Sequence, residues 1–321
     1  MPNPQVVAIN APLSDALLSR IAHEAEPARV LRPEQLKQDR TLLRQAEVLF
    51  THAINPERLR EAGQLRWIQT AGAGVEWLLT PEIVARQALT ITNASGVHAD
   101  QIAEHVFALL LALIRRLPLA LAQQREQRWD SAPFVRDVPL LAGSTLGILG
   151  VGAIGERVAE LGAAFHMRVL GLRRASTPVP HVERMYPPES LHELLRESDY
   201  VVNALPLTAA TRKLISAAEL QSMRSNAVLI NIGRGGTQDT DALVAALSEG
   251  RIAGAGLDVT DPEPLPPEHP LWHSDRVIIT PHFSGGRPGY FEHVTDIFLD
   301  NLRRYRAGET LRNVVDRAAG Y

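Results

Sequence analysis

Residues 145–155 read TLGILGVGAIG, an apolar run that leads directly into three spaced glycines. The run is typical of a buried strand, and the residues after the loop favour a helix. A glycine loop between a strand and a helix presents backbone N–H groups at the positive end of the helix dipole, where a pyrophosphate binds. The stretch therefore predicts a dinucleotide-binding βα unit, in which the cofactor contacts Gly150, Gly152, Ala153, Ile154 and Gly155.

The same alternation of strand and helix extends from this loop along almost the whole chain. Several strand candidates are continuously apolar, as is typical of strands buried on both faces of a parallel sheet. Alternating strands and helices predict right-handed crossovers and an α/β fold of doubly wound parallel sheets. The strand candidates are residues 6–9, 48–51, 66–69, 89–92, 145–149, 168–172, 200–204, 228–232, 256–259 and 277–280.

Two helices frame the second group of strands. An apolar helix is predicted over residues 99–117, and an amphipathic helix over residues 294–305. The first is either a connecting helix buried between domains or subunits, or an ordinary core helix.

Composition narrows the function classes. A chain of 321 residues suits two domains of about 150 residues each. No cysteine is present, which excludes disulfide scaffolds, thiolate zinc sites and cysteine nucleophiles. The net charge of −3 provides no basic field, so we expect no nucleic-acid partner. Only Lys37 and Lys213 are lysines among 33 basic residues, a bias that a GC-rich genome alone would explain.

The sequence carries no targeting signal that we recognise. The first ten residues, MPNPQVVAIN, lack the basic stretch and apolar core of a secretory signal. The longest uninterrupted apolar run covers residues 106–114, whereas a spanning helix needs about 20 residues. We therefore expect a cytoplasmic protein with no membrane partner.

The residues after the second strand of the cofactor unit bear on the choice of dinucleotide. A carboxylate there would bind the ribose hydroxyls of NAD, but none lies between Glu160 and Glu183. The segment instead carries Arg173, Arg174 and Ser176, and guanidinium and hydroxyl groups suit a 2′-phosphate. This predicts NADP(H) as the preferred cofactor, with NAD(H) possible; in the alternative interpretation both arginines simply face solvent.

Three chemically suitable residues follow later strand candidates: Arg234, Glu263 and His282. Ligands bind beyond the carboxyl ends of the strands in such sheets. An arginine can clamp a carboxylate, a histidine can protonate a carbonyl oxygen, and a glutamate can fix the histidine tautomer. Taken singly, each could instead be a structural cation, a solvated loop charge or a core histidine. The set requires neither a thiolate nor a metal.

Taken together, these segments resemble the D-isomer-specific 2-hydroxyacid dehydrogenase family, and in particular its glyoxylate/hydroxypyruvate reductases. The resemblance rests on the glycine loop and on NALPLTAATRKLI (203–215), INIGRGG (230–236), GLDVTDPEPLP (256–266) and TPHFSGG (280–286). The separations of 29 residues from Arg234 to Glu263 and 19 from Glu263 to His282 are also similar to the family.

The resemblance implies a domain organisation. A Rossmann cofactor domain, residues 99–285, would be inserted into a flavodoxin-like substrate domain formed by residues 1–98 and 286–321. It also implies a homodimer, for which the long helix and residues 119–141 would suit the interface.

The resemblance further implies residue roles, with Arg234 as the substrate anchor, His282 as the acid/base and Glu263 as its partner. Substrate would be bound by backbone N–H groups of the AGAGV turn (71–75), which contains Ala73, Gly74 and Val75, and by Arg234 and His282. The further cofactor contacts that it implies are Leu205, Pro206, Thr211, Ile232, Gly233, Arg234, Asp258, His282 and Ser284.

These inferences lead us to expect NAD(P)-dependent reduction of a 2-ketoacid to a D-2-hydroxyacid by hydride transfer, with NADPH preferred. One alternative is NAD-dependent oxidation of a D-2-hydroxyacid in catabolism. A second, from a different class, is a dinucleotide-sensing binding protein similar to the corepressors that resemble these dehydrogenases.

Overall fold

A computed structural model of the protein describes residues 4–136, 138–175 and 177–320. The chain divides into two compact units, one formed by Met1–Val97 with Arg287–Tyr321 and the other by His98–Gly286. Each unit contains a sheet in which every strand pairing is parallel. The α/β fold class with two doubly wound parallel sheets is thereby confirmed.

The regular elements are numbered in chain order. The strands are β1 Val6–Asn10, β2 Arg29–Leu31, β3 Val48–Thr51, β4 Trp67–Thr70, β5 Thr90–Thr92, β6 Thr145–Leu149, β7 Arg168–Leu172, β8 Arg184–Tyr186, β9 Tyr200–Asn203, β10 Val228–Asn231, β11 Gly254–Leu257 and β12 Val277–Ile279. The helices are α1 Asp15–Ala25, α2 Pro33–Gln38, α3 Pro81–Ala85, α4 Ala99–Ile114, α5 Leu117–Arg125, α6 Ala132–Val135, α7 Ala153–Ala164, α8 Leu191–Glu197, α9 Ala217–Ser222, α10 Thr240–Ser248 and α11 Tyr290–Ala307. Short 3₁₀ turns cover Arg40–Gln45, Pro56–Leu59, Pro188–Ser190, Gly235–Thr237 and Pro270–His273.

The sheet of the first unit has the order β2-β1-β3-β4-β5, which is the flavodoxin-like order. The C-terminal helix α11 supplies aromatic side chains to its core. The Phe298 ring stacks on Phe50 at 4.8 Å and on Trp67 at 5.2 Å, and Tyr305 stacks on Trp67 at 5.5 Å. These buried contacts explain why the end of the chain belongs to the first unit.

A buried polar network fixes the position of α11 in that unit. The side-chain amide of Asn301 donates to Gln69 Oε1 at 3.0 Å and to the carbonyl of Arg312 at 3.1 Å. Gln69 also accepts from the hydroxyl of Thr92 at 2.8 Å, and Thr92 in turn accepts from Trp67 Nε1 at 2.8 Å. Because the four side chains of this network are buried, it specifies one register of the helix.

The sheet of the second unit has the order β12-β11-β10-β9-β6-β7-β8. Numbered within the unit, the order is 3-2-1-4-5-6-7, the Rossmann order extended by one strand. The strand order reverses between β6 and β9, and the crevice beyond their carboxyl ends is where dinucleotides bind in such sheets. The glycine loop follows β6 directly.

The sequence did not predict two short strands, β2 and β8, and it misplaced the start of a third strand, β11. Strands β2 and β8 have three residues each, lie at sheet edges and begin with an exposed arginine, so they present no apolar run. Strand β11 begins at Gly254, two residues before the predicted start, because two of its four residues are glycines with low strand propensity.

The predicted helix over residues 99–117 ends at Ile114, and α5 continues after a bend of 65°. Arg116 adopts a left-handed conformation with φ of 54°. Pro118 cannot continue the helix, since it lacks an N–H and its ring would clash with the carbonyl of residue 114. The second predicted helix is longer than expected, extending over Tyr290–Ala307.

Within the described residues no single helix has both the length and the apolar character to cross a membrane, although the bent pair α4 and α5 meets these two criteria jointly.

Candidate active site

The three glycines after β6 serve different purposes in the loop. Gly150 has a φ of +94°, and a Cβ there would lie 3.0 Å from the carbonyl oxygen of Ala204. A Cβ on Gly155 would lie 2.5 Å from the carbonyl oxygen of Gly150. A Cβ on Gly152 meets no atom within 4 Å. The fold itself therefore requires the first and third glycines, whereas the second keeps open space in front of the loop.

The N-terminus of α7 faces the same space. Gly152 is the N-cap residue, and no side chain caps the helix there. Among the described residues, none outside the helix accepts a hydrogen bond from the N–H groups of Ala153 or Ile154. Uncapped N–H groups beside an open glycine fit a pyrophosphate, which would bind them at the positive end of the helix dipole.

Beyond β7, the side chain of Arg173 is hydrogen-bonded to backbone carbonyls of the neighbouring loops. Its guanidinium donates to the carbonyls of Ala175 at 3.0 Å, Val151 at 3.3 Å and Thr177 at 2.9 Å. Arg174 is exposed. The third predicted residue of this group, Ser176, lies outside the described residues. Arg173 thus braces the loop against the glycine loop.

Two buried asparagines shape the ends of β9 and β10. Asn203 Oδ1 accepts from the N–H of Leu205 at 3.2 Å, and Asn231 Oδ1 accepts from the N–H of Gly233 at 3.1 Å. The amide of Asn203 bridges the two strands by donating to Asn231 Oδ1 at 3.2 Å and to Thr237 Oγ1 at 2.7 Å. These bonds fix where the chain turns after each strand.

The predicted cofactor residues after these strands line the same edge of the sheet. Leu205, two residues after β9, and Ile232, directly after β10, are both buried. The hydroxyl of Thr211 donates to the carbonyl of Pro206 at 2.6 Å, which closes the loop between them.

Arg234 follows β10 between two glycines that the packing requires. A Cβ on Gly233 would lie 2.6 Å from the carbonyl oxygen of Leu205, and one on Gly235 would lie 1.9 Å from that of Thr260. The neighbouring loops therefore press against the backbone on both sides of Arg234. The Arg234 side chain donates to the Gly233 carbonyl at 2.8 Å and is half-buried.

Glu263 and His282 come together although they follow different strands. His282 Nδ1 lies 2.6 Å from Glu263 Oε1, and the two side chains are 47% and 42% exposed. His282 has a φ of 51°, a strained left-handed conformation that non-glycine residues rarely adopt. The arrangement leaves Nε2 of the imidazole as the nitrogen that can exchange a proton with a ligand.

The loop that carries Glu263 is fixed by hydroxyl groups. Thr240 donates to the carbonyl of Asp261 at 2.8 Å, and Thr260 donates to that of Pro262 at 2.8 Å. Sequence reasoning identified Glu263 but not these two threonines.

Asp258, at the end of β11, organises the segment that contains His282. Its carboxyl group is 1% exposed and accepts the hydroxyl of Thr280 at 2.7 Å and the N–H groups of Phe283 and Ser284, both at 3.1 Å. The N–H of His282 donates to the Asp258 carbonyl oxygen at 2.9 Å. Asp258 therefore holds the histidine segment through both its backbone and its side chain.

In the first unit, the predicted glycine turn over residues 71–75 follows β4. The side-chain amide of Asn93 donates to the carbonyl of Ala73 at 2.8 Å and fixes the turn. None of the described residues accepts a hydrogen bond from the N–H groups of Ala73, Gly74 or Val75. Consecutive unpaired N–H groups form a concavity suited to an anion such as a carboxylate.

Comparison with known proteins assigns the chain to a family. Residues 107–284 match the model of the D-isomer specific 2-hydroxyacid dehydrogenase, NAD binding domain. The chain belongs to the D-isomer specific 2-hydroxyacid dehydrogenase family. The cofactor of this family member is a nicotinamide dinucleotide, which the open glycine loop of its second unit fits.

Relatives of this family member include glyoxylate reductases. That of Aeropyrum pernix is 38% identical over 282 residues, which cover 85% of this chain and 84% of the relative. A solved family protein from Aeromonas salmonicida is 31% identical with a TM-score of 0.83, covering 98% of this chain and 99% of that one. An NADPH-dependent glyoxylate/hydroxypyruvate reductase from Sinorhizobium meliloti, solved with NADP and sulfate, is 25% identical with a TM-score of 0.85, covering 99% and 100%.

Sequence reasoning missed several residues that shape the candidate site of this family member. The asparagines at the ends of β9 and β10 could have been noticed, because each is a polar residue that ends an apolar run: YVVN and VLIN. Asp258 was expected to contact the cofactor, but its three hydrogen bonds to the histidine segment were not foreseen.

Proposed function

We propose that this chain catalyses the NADPH-dependent reduction of a 2-ketoacid to a D-2-hydroxyacid, with Arg234, Glu263 and His282 as catalytic residues. The observation that carries the proposal is the 2.6 Å contact between His282 Nδ1 and Glu263 Oε1. The pair lies beyond the carboxyl ends of strands in the sheet that also carries the glycine loop. An acid/base pair at that edge suits proton transfer to a substrate bound beside the dinucleotide.

The chain supplies the proton in this reaction. The Glu263 carboxylate accepts a hydrogen bond from the Nδ1–H group of His282. This bond fixes the orientation of the imidazole and stabilises the positive charge that the ring carries before it gives up its proton. His282 Nε2 then donates its proton to the carbonyl oxygen of the ketoacid. A bound reduced nicotinamide supplies the hydride for the carbonyl carbon. In the oxidative direction, Nε2 of the neutral imidazole takes the proton back.

Each unit contains a group of donors that is suited to bind a carboxylate. The guanidinium of Arg234 can form paired, charge-assisted hydrogen bonds to a carboxylate and polarise the adjacent carbonyl. In the first unit, the unpaired N–H groups of Ala73, Gly74 and Val75 are donors suited to the same kind of ligand. We accordingly assign dinucleotide binding to the second unit and a substrate-binding role to the first.

The preference for NADPH is supported by the residues after β7. Arg173 and Arg174 occupy the position at which NAD enzymes carry a carboxylate. The guanidinium of Arg173 is bonded to loop carbonyls and Arg174 is exposed, and both arginines are candidates to bind a 2′-phosphate. The Sinorhizobium meliloti reductase, which is described as NADPH-dependent, supports the same preference.

We also propose that the chain forms a homodimer through the region from α5 to Leu140. Ten large apolar side chains are exposed among the described residues, and six of them lie between residues 117 and 140. They include Leu121, Trp129 and Val135, at 53%, 98% and 69% exposure. A cluster of this kind marks a protein interface. Sedimentation should show a dimer that Leu121→Asp dissociates and that the matched exposed-site change Val314→Asp leaves intact.

The test of the activity is NADPH oxidation at 340 nm with glyoxylate, hydroxypyruvate, pyruvate, and branched and aromatic 2-ketoacids. We expect turnover with at least one of them, loss of turnover in His282→Ala, and full activity in His23→Ala, which changes an exposed histidine on α1. Chiral chromatography of the product should give the D-isomer, and kcat/KM should be higher with NADPH than with NADH. Absence of turnover with every substrate, or full turnover by His282→Ala, would refute the proposal.

A further inference from the structure

Helix α4 lies on β11 in a regular register. A Cβ on Gly254 would lie 3.9 Å from Leu113 Cδ2, and a Cβ on Gly256 would lie 3.1 Å from Leu109 Cβ. Four residues of helix advance about 6 Å and two residues of strand about 6.6 Å, so the two elements stay in step. One further step along both elements pairs His105 with Asp258. Gly256 allows this close approach, because a larger residue there would press against Leu109 of the helix.

His105 makes a specific hydrogen bond at this point. Its Nε2 lies 3.0 Å from Thr280 Oγ1 and 3.7 Å from Asp258 Oδ1. The hydroxyl proton of Thr280 is donated to Asp258 Oδ1 at 2.7 Å. Thr280 can therefore only accept from His105, which requires the proton of the imidazole to be on Nε2.

The imidazole also packs against the histidine segment. The ring of Phe283 meets the His105 ring edge-on, with the centroids 5.1 Å apart. The side chain of His105 is 13% exposed, and burial lowers its pKa in spite of the nearby Asp258 carboxylate. At neutral pH the ring is thus an uncharged donor, and none of the proposed proton-transfer steps uses it.

We propose that His105 is a positioning residue that acts through Thr280 on Asp258 and sets the geometry of the nicotinamide site. The hydrogen bond from His105 fixes the Thr280 hydroxyl, which fixes one oxygen of the Asp258 carboxyl group. The same carboxyl group holds the N–H groups of Phe283 and Ser284 next to the proposed acid/base. The inference rests on the proposed role of Asp258 as a contact of the nicotinamide carboxamide. The competing interpretation is a buried histidine that only fills space between helix and sheet.

The test compares His105→Leu, which removes the donor, with His105→Gln, which places an amide N–H near Nε2. Binding of NADPH and of 2′-phospho-ADP-ribose, which lacks the nicotinamide, is measured by calorimetry. We expect His105→Leu to raise the Kd for NADPH about tenfold and leave the Kd for 2′-phospho-ADP-ribose unchanged. We expect kcat to fall by about 10- to 100-fold, as for other residues that orient a reactive group, and His105→Gln to recover most of both losses.

Further variants keep the inference testable if His105→Leu does not fold. Thr280→Val keeps the side-chain shape and removes the hydroxyl relay, so it should reproduce the selective loss of NADPH affinity. In the double variant Thr280→Val/His105→Gln, the glutamine should no longer restore affinity, because the effects of residues in one network are not additive. His105→Asn, whose amide is too short to reach Thr280, should behave like the leucine variant.

Three results would overturn the inference: an unchanged Kd for NADPH in His105→Leu and Thr280→Val, an equal loss for both ligands, or no difference between His105→Gln and His105→Asn. A lower melting temperature with unchanged kinetics would likewise identify a purely structural histidine. A wild-type chain that binds neither ligand would refute the proposed function as well.

Discussion

Substitutions in the glycine loop should affect the stability of the fold and the binding of the cofactor to different extents. Gly152 has φ and ψ of −103° and −159°, which alanine adopts without strain, and its Cβ would meet no atom within 4 Å. We expect Gly152→Ala to cost about 0.5 kcal/mol, since alanine is a poorer N-cap than glycine. That corresponds to a fall of about 1–2 °C in melting temperature.

The effect of Gly152→Ala on the dinucleotide should be much larger. The methyl group would occupy the space through which the pyrophosphate approaches the N–H groups of α7. Loss of one charge-assisted hydrogen bond costs about 1.5–3 kcal/mol, which raises the Kd about 10- to 100-fold. Fluorescence titration with NADPH measures the Kd, and thermal unfolding without ligand measures the stability.

Gly155→Ala is the matched control for this prediction. Its Cβ would lie 2.5 Å from the Gly150 carbonyl oxygen, and both groups belong to the backbone. Overpacking of this kind costs about 1–3 kcal/mol, so the control should lower the melting temperature markedly. A wild-type Kd in Gly152→Ala, or a loss of stability as large as that of Gly155→Ala, would refute the assignment of the open space to the cofactor.

Three further tests, two of them with a matched variant, probe separate parts of the site and the fold. Glu263→Gln keeps the shape of the side chain and removes the negative charge beside the imidazole, so kcat should fall about 10²–10⁴-fold with little change in the Kd for NADPH; a kcat within threefold of wild type would contradict the proposed pairing. Arg174→Ala should weaken the binding of NADPH more than that of NADH and leave the melting temperature unchanged. Arg173→Ala should also lower the melting temperature, because its three carbonyl contacts are lost. Equal losses of affinity for both cofactors would count against a phosphate contact. Arg86→Lys should lower the free energy of unfolding, measured in urea, by about 2 kcal/mol, because a lysine cannot reach all three carbonyls that Arg86 binds at 2.9–3.2 Å. The control Arg60→Lys, at an exposed ion pair, should change the free energy of unfolding by less than about 0.5 kcal/mol.

Local patterns were sufficient to predict most of the fold. Buried strands such as β6 and β10 are apolar apart from one terminal residue, so each is visible as an apolar run. Edge strands β2 and β8 are stabilised by backbone pairing to one neighbour, which leaves no side-chain pattern. The break after Ile114 was missed because apolar residues recur on both sides of it. The left-handed Arg116 and Pro118 nevertheless prevent the helix from continuing.

The candidate site was predictable only where a motif stands at a strand end. Glu263 and His282 were expected to pair, and they lie within hydrogen-bond distance, although their roles remain predictions. His105 could not be found in this way. It lies 153 residues before Asp258 on an apolar helix, and only the register of α4 on β11 brings the two together. Residues that orient a site through tertiary contacts have no sequence spacing to reveal them.

The excess of arginine over lysine has a structural consequence that composition alone did not predict. Several guanidinium groups bind the unpaired carbonyls at helix C-termini: Arg306 those of Glu24 and Glu26 after α1, and Arg251 those of Gln221 and Met223 after α9. The planar, forked guanidinium can bind two such carbonyls at once and complements the negative end of the helix dipole, whereas an ammonium group is a single point charge. An arginine in this chain is therefore weak evidence for an anion site unless its carbonyl partners are known. By that criterion Arg173 is first a brace of the loop, because three backbone carbonyls occupy its guanidinium.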